Sequence, residues 1–350
     1  MQPTQQPALD EFLSTVDAIA GGDHSPDTLQ KMCVLCSPDY EPTREDKVRL
    51  GGEAIVLKVS NTVLDRAEVL KIPRRALVEN KRLLARYFRG MQLQSRVHRY
   101  VRAGVPEVYA ARYNAPFVSM EWIRGLALLR FLEQAGQRES ARFFVSILDL
   151  VASLHDRMVI HRDLTPSNIL VGVDPVTEAL CPYLLDFGLA KRVQGESTLT
   201  GIGAKLGTNG WASPDQLDDA ARADFLDDVY TAGRLLYVMA TYATTKACPR
   251  KDRDYDERLL PGEWLPIFQA ATAPREARYQ SIRELRAAVA RVVGIEDVSI
   301  VRVPDPISVF SEDLRSTRKI RKVSPPPEST EGDDLVDLFV KAVRSAIYNS

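Results

Sequence analysis

His161-Arg162-Asp163-Leu164-Thr165-Pro166-Ser167-Asn168 is followed, eighteen positions after its last residue, by Asp186-Phe187-Gly188. These side chains suit work on a charged, oxygen-rich substrate. The Asp163 carboxylate can accept or orient the proton of an attacking hydroxyl. Asn168 and Asp186 offer hard oxygen ligands of the kind magnesium takes, since that ion keeps several waters and binds through few protein groups. An ordinary Asp in a turn with an Asn capping it would explain any one of these residues. The ordered set is better explained as a chemical centre, because five positions of the first run fit H-R-D-L-x-x-x-N and D-F-G then follows at a compatible distance.

On these residues the chain resembles the eukaryotic-type (Hanks-type) protein kinase superfamily, as a divergent serine/threonine member of bacterial character. The resemblance implies an α+β, bilobal fold with a small β-rich lobe and a larger helical lobe. It also implies phosphoryl transfer from ATP, a reaction that asks the protein mainly to position a hydroxyl and neutralise phosphate charge. Asp163 is then the catalytic residue, Asn168 and Asp186 are the metal ligands, and the cofactors are ATP and Mg2+. Downstream, Ser213-Pro214-Asp215 stands where A-P-E is usual, and Arg278-Tyr279-Gln280-Ser281 resembles the segment that carries the partner of that acid. Asp228-Val229-Tyr230 resembles the start of the buried helix whose Asp braces the catalytic loop.

The upstream landmarks are thinner. Val69-Leu70-Lys71-Ile72 resembles the V-A-I-K strand, which makes Lys71 the group for the α- and β-phosphates. Arg49-Leu50-Gly51-Gly52-Glu53-Ala54-Ile55-Val56 aligns with G-x-G-x-x-G-x-V, with Gly51 and Val56 in place and Arg49 and Ala54 replacing the outer glycines. Gly51, Gly52, Val56, Val69 and Lys71 are therefore the expected nucleotide contacts in the small lobe. Phe117–Gly125 resembles the linker between lobes: Met120 would gate the adenine slot, Glu121 C=O and Ile123 N–H would meet the adenine edge, and Leu170 would floor it. Two departures stand out. The family pairs its strand Lys with a Glu on the following helix, but Glu79 comes too early, and the equivalent position falls near Gln92 or Gln94. Thr165 replaces the usual Lys, which implies slower transfer. A pseudokinase or ATP-binding scaffold is the alternative function.

Length and composition set the frame. A chain of 350 residues accommodates a two-lobed domain with extensions. Residues 1–45 read as an N-terminal extension, 46–295 as the kinase-like domain (small lobe 46–121, large lobe 124–295), and 296–350 as a tail. In the extension, Leu9, Phe12, Leu13, Val16 and Ile19 recur at helical spacing until Gly21-Gly22. A helix is expected near 76–103, and Phe144, Ile147, Leu148, Val151 and Leu154 mark another before the catalytic loop. A formal charge of −1 gives no electrostatic case for nucleic acid. No apolar run reaches the ~18–20 residues of a membrane span, and the polar amino terminus lacks a signal-peptide core; the expected location is cytoplasmic, the expected partner a protein substrate. Cys33 and Cys36 read as a buried thiol pair in a reducing compartment rather than a metal site. Ser197, Thr198 and Thr200 are the candidate phosphosites, in a loop that Arg162 could order once phosphorylated. The tail opens with a linker, and residues 333–350 read as an amphipathic helix that docks on this chain or on a second copy.

Overall fold

A computed structural model describes residues 6–43, 48–101, 103–174, 177–192, 210–218 and 224–295. They form two units, divided on the chain between Ile123 and Arg124, with Asp186–Lys191 belonging to the first. The candidate phosphosites Ser197, Thr198 and Thr200, and residues 333–350, where an amphipathic helix is expected, lie outside the described residues.

Strict two-residue alternation builds the first unit. Strands β1 (Tyr40–Pro42), β2 (Val48–Leu50), β3 (Ala54–Asn61), β4 (Arg66–Pro73), β5 (Val108–Arg112) and β6 (Phe117–Glu121) form an antiparallel sheet in the order β1-β3-β4-β6-β5, with β2 also on β3. Ile55, Leu57, Val59, Leu70, Ile72 and Phe117 point to one face, while Ala54, Val69, Val118 and Met120 point to the other. A sheet apolar on both faces needs a cover on each. One cover is α1 (Gln6–Ala20) with α2 (Pro26–Cys36), through Phe12, Val16, Ile19, Leu29, Met32, Cys33 and Cys36. The other is α4 (Lys81–His98), through Tyr87, Phe88 and Met91.

The expected helix of the extension is thus α1, but residue 45 marks no break in the core: the extension is one wall of the small unit. Its second helix starts where Ser25 accepts the amide of Thr28 and Pro26 takes the first turn, a start signal that the sequence carries. The single helix expected near 76–103 is two, α3 (Arg75–Glu79) and α4. Asn80 separates them by accepting the amides of Arg82 and Leu83 at 3.1 and 3.2 Å, as an N-cap does.

A buried carboxylate ties the extension to the sheet. Glu68 accepts from Tyr40 Oη (3.1 Å), Asn61 Nδ2 (3.0 Å) and Arg66 Nε (2.8 Å), and only 1% of it is exposed. Removing a charge-assisted bond from such a site costs about 1–3 kcal/mol. Glu68→Gln is therefore expected to lower the unfolding free energy of the full chain by that much, read as a lower urea midpoint at an unchanged slope. An unchanged midpoint would mean that the network contributes nothing.

In the second unit, β7 (Gly125–Ala127), β9 (Ile169–Val173) and β10 (Leu180–Leu184) form a small sheet in the order β10-β9-β7. With it pack α5 (Leu128–Gln134), α6 (Gln137–His155), α7 (Pro214–Asp218), α8 (Phe225–Thr245), α9 (Leu265–Thr272) and α10 (Ile282–Val293); β8 (Val159–Ile160) precedes the candidate catalytic loop. The apolar stripe Phe144, Ile147, Leu148, Val151 and Leu154 of α6 is buried as expected. Helix α8 opens with a capping box: Asp224 accepts the Leu226 amide, and Asp227 accepts the Asp224 amide. That start drives Asp227 and Asp228 into the interior.

Candidate active site

The loop after β8 is organised from α8. Asp228 Oδ1 accepts the Arg162 amide at 2.7 Å, and Oδ2 accepts the His161 amide at 2.9 Å and lies 2.9 Å from His155 Nε2. Burial alone would raise the Asp228 pKa. The bond and charge of His155, the charge of His161 and the Arg162 amide outweigh it and hold the carboxyl below its ordinary value. The clamp explains the backbone of Arg162, which sits at φ +69°. A non-glycine residue there costs on the order of 1–2 kcal/mol and needs neighbours to enforce it. Asp228 holds its amide, and Gln216 Nε2 donates to its carbonyl at 3.0 Å.

Past that turn the loop closes on Asp163. Asn168 Nδ2 donates to Asp163 O (3.0 Å) and to Asp163 Oδ2 (2.6 Å), and the Thr165 amide also reaches Asp163 O at 2.9 Å. Both side-chain contacts of Asn168 are to acceptors, so its amide nitrogen must face Asp163 and its Oδ1 faces away from them. A hard amide oxygen is of the donor type that a divalent ion of the magnesium kind takes. Thr165 is buried, and its hydroxyl lies 2.9 Å from Ser167 Oγ, which turns it into part of the loop's own bracing.

The first unit holds the other groups. Gly51 donates to Ala54 O at 2.9 Å, and a Cβ at Gly51 would sit only 2.9 Å from that oxygen, so the turn between β2 and β3 requires glycine there; Gly52 faces open space. The thinned glycine motif therefore still makes a tight hairpin, with Leu50 opposite Ile55. Val56 pairs with Lys71, and Val69 with Met120, which sets all four on the face that α4 covers. Glu121 ends β6 with Ile123 just beyond it, and burial raises the Glu121 carboxyl above its usual range. Leu170, in β9 of the second unit, is half-buried.

Lys71 Nζ lies 2.9 Å from Asp186 Oδ1. Asp186 adopts φ +59° and accepts the Gly188 amide at 3.1 Å, and Phe187 is fully buried. Helix α4 presses on this segment at Gly90, where a Cβ would come within 2.5 Å of Phe187 O. Neither glutamine proposed for the missing helix Glu serves. Gln94 is buried and donates to Pro106 O at 2.9 Å, and Gln92 is exposed. Tyr87 occupies the place instead: its hydroxyl donates to Lys71 O at 2.6 Å, and its ring centre lies 5.7 Å from Lys71 Nζ. Spacing along the sequence does not fix which residue of α4 faces the strand, and the structure puts Tyr87 there, one turn or more before Gln92 and Gln94. A pattern of Tyr87, Phe88 and Met91 set against a polar face was the available signal.

Cys33 and Cys36 face the core of the first unit, where burial pushes Cys33 up to about 12 and raises Cys36 as well. Both stay protonated thiols at neutral pH, unsuited to nucleophilic or metal chemistry.

The protein kinase domain model matches residues 51–282, well over half of the chain. The chain belongs to the protein kinase family. Among its relatives is a probable serine/threonine-protein kinase of Clostridium acetobutylicum, 26% identical over 77% of this chain and 43% of that protein. Serine/threonine-protein kinase pkn3 of Myxococcus xanthus is 31% identical over 58% of this chain and 38% of its own length. Serine/threonine-protein kinase PknL of Mycobacterium tuberculosis is also 31% identical, over 56% of this chain and 48% of its own. The chain thus spans less than half the length of these curated relatives. No helix among its described residues is long and apolar enough to cross a membrane.

As a kinase-family domain, it keeps the frame behind the catalytic loop despite its substitutions. Asp215, the shortened acid of the A-P-E position, lies 3.7 Å from both Arg278 and Arg275. Arg278 also donates to Leu226 O (2.9 Å) and Ala273 O (3.0 Å), so the contact that a longer Glu would make is supplemented by backbone anchors. Ser213 bonds Asp227, next to the Asp228 clamp.

Proposed function

We propose that this chain is a serine/threonine protein kinase that transfers the γ-phosphoryl group of ATP to a protein hydroxyl, with magnesium as the metal. The observation that carries the reading is the Asp163 carboxylate, oriented by Asn168 at 2.6 Å on a loop clamped by Asp228. Phosphoryl transfer needs a positioned hydroxyl and charge neutralisation, and each has its group here. Asp163 takes the hydroxyl proton as the acceptor oxygen bonds to the γ-phosphorus and the bond to the β-γ bridging oxygen breaks, releasing ADP. Lys71 holds the α- and β-phosphates, on a sheet face where Val56, Val69 and Met120 offer apolar cover for the base. Asn168 and Asp186 hold the metal, which when bound offsets phosphate charge. Glu121, Ile123 and Leu170 complete the expected adenine contacts, and Gly51-Gly52 supplies backbone for the phosphates. The free thiols of Cys33, Cys36, Cys181 and Cys248 support a cytoplasmic site of action.

The test is label transfer from γ-labelled ATP to a general protein acceptor, in magnesium and then in calcium. Lys71→Ala is expected to reduce transfer by about 10²-fold or more, and transfer should depend on magnesium. ATP binding by the wild type with no transfer under any of these conditions would make the chain a scaffold instead.

A further inference from the structure

We infer that Tyr87 is the positioning residue for Lys71, doing with a neutral ring and a hydroxyl what a helix carboxylate does by ion pairing; this rests on the kinase reading. Four features of the first unit lead to it. The hydroxyl donates to Lys71 O at 2.6 Å, so it grips the strand at the residue whose ammonium must be placed. The ring centre lies 5.7 Å from Lys71 Nζ, inside the range in which an aromatic face attracts a cation. Only 3% of Tyr87 is exposed, and its ring stands edge-on to Phe88 (5.2 Å, 84°), so it has little freedom to move. The next residue back, Arg86, pairs with Glu53 in the Gly51-Gly52 turn, so two consecutive residues of α4 hold the turn and the lysine strand together.

The electrostatics fit a neutral partner. Burial, then the nearby charge of Asp186, keep the phenol well above its usual ionisation range, so at neutral pH it donates and carries no charge. The Lys71 ammonium already faces the Asp186 carboxylate at 2.9 Å. A Glu at 87 would set a second acid beside that pair. A ring there attracts the ammonium and leaves its charge for phosphate. Gly90, one turn further along α4, meets the Phe187 backbone, so the hydroxyl that ties α4 to β4 also sets the helix against the Asp186 segment.

The experiment uses the full chain and separates the two jobs. Tyr87→Phe keeps the ring and removes the hydroxyl; Tyr87→Met fills the space with a flexible apolar chain and removes both. MgATP affinity is read by calorimetry and kcat and KM by label transfer. The Phe variant is expected to keep affinity and KM for ATP within about twofold, with kcat lowered several-fold as α4 loosens. The Met variant is expected to weaken affinity and raise KM by about tenfold, the size of one desolvated cation–π contact. Met and Phe variants with the same ATP affinity would overturn the inference, whatever their melting temperatures, because packing alone would then be the role of Tyr87. Should the Met variant not fold, pentafluorophenylalanine at 87, compared with Phe, keeps the shape and removes the negative ring face. Weaker ATP binding supports the inference, and equal binding overturns it. Calorimetry needs no turnover, so a wild type that binds ATP without transferring label refutes the kinase reading and still lets the variants be compared.

Discussion

Asp163→Asn is expected to abolish phosphoryl transfer while leaving the protein folded and able to bind nucleotide. The substitution preserves the shape of the side chain and one acceptor oxygen, which can still receive Asn168 Nδ2 in place of the 2.6 Å bond to Asp163 Oδ2. The loop should therefore keep its form, because its main clamp is Asp228 rather than Asp163. What is lost is a base for the attacking hydroxyl, and a positioned acid or base contributes about 10²–10⁴-fold. Initial rates of label transfer, set beside the melting temperature and MgATP affinity of the same samples, read this directly. Equal rates for the variant and wild type would remove Asp163 from the chemistry, and with it the proposed mechanism.

Asp228→Asn is expected to cost both stability and activity. The carboxylate satisfies two backbone amides and lies against His155 Nε2 in a fully buried position. An amide offers one acceptor oxygen to that set and turns an N–H2 group toward donors. Breaking a buried, charge-assisted cluster of this kind costs about 2–4 kcal/mol. Transfer should fall as well, since Arg162 at φ +69° loses the bond that holds its amide and the turn leading to Asp163 relaxes.

The pH dependence carries a sign that can be checked. The Asp228 pKa is held below its unfolded value, so the unfolded chain binds the proton more readily. Its contribution is complete above an unfolded carboxyl pKa of ~3.9 and is lost as pH falls through the lower folded value. The gap between wild type and variant in urea midpoint should therefore be constant near neutrality and narrow only in strong acid. A gap that closes already between pH 6 and 8 would show that a different group controls it.

The residues most legible in the sequence are those whose geometry is set within a few positions. His161 to Asn168 closes through its own bonds: Asn168 to Asp163, and the Thr165 amide to Asp163 O. Gly51 is legible for the same reason, since a Cβ would meet Ala54 three residues away. The stripe of α6 is readable because one turn of helix repeats within four residues. The extension was only half legible. Its first helix shows in the spacing of Phe12, Val16 and Ile19, but nothing local says that Ile55, Leu57 and Leu70 are what that stripe covers.

By itself, then, the sequence determined the family and marked Lys71, Asp163, Asn168 and Asp186 as the candidate chemical groups. Each of these rests on side-chain types at short, ordered spacings. Only the tertiary structure decided that residues 6–36 are a wall of the small unit, that Gln94 serves Pro106, and that Tyr87 faces Lys71. The physical reason is common to all three. Which face of a helix meets which strand depends on the phase and tilt at which it packs, and these are set by burial of distant apolar surface rather than by neighbours along the chain.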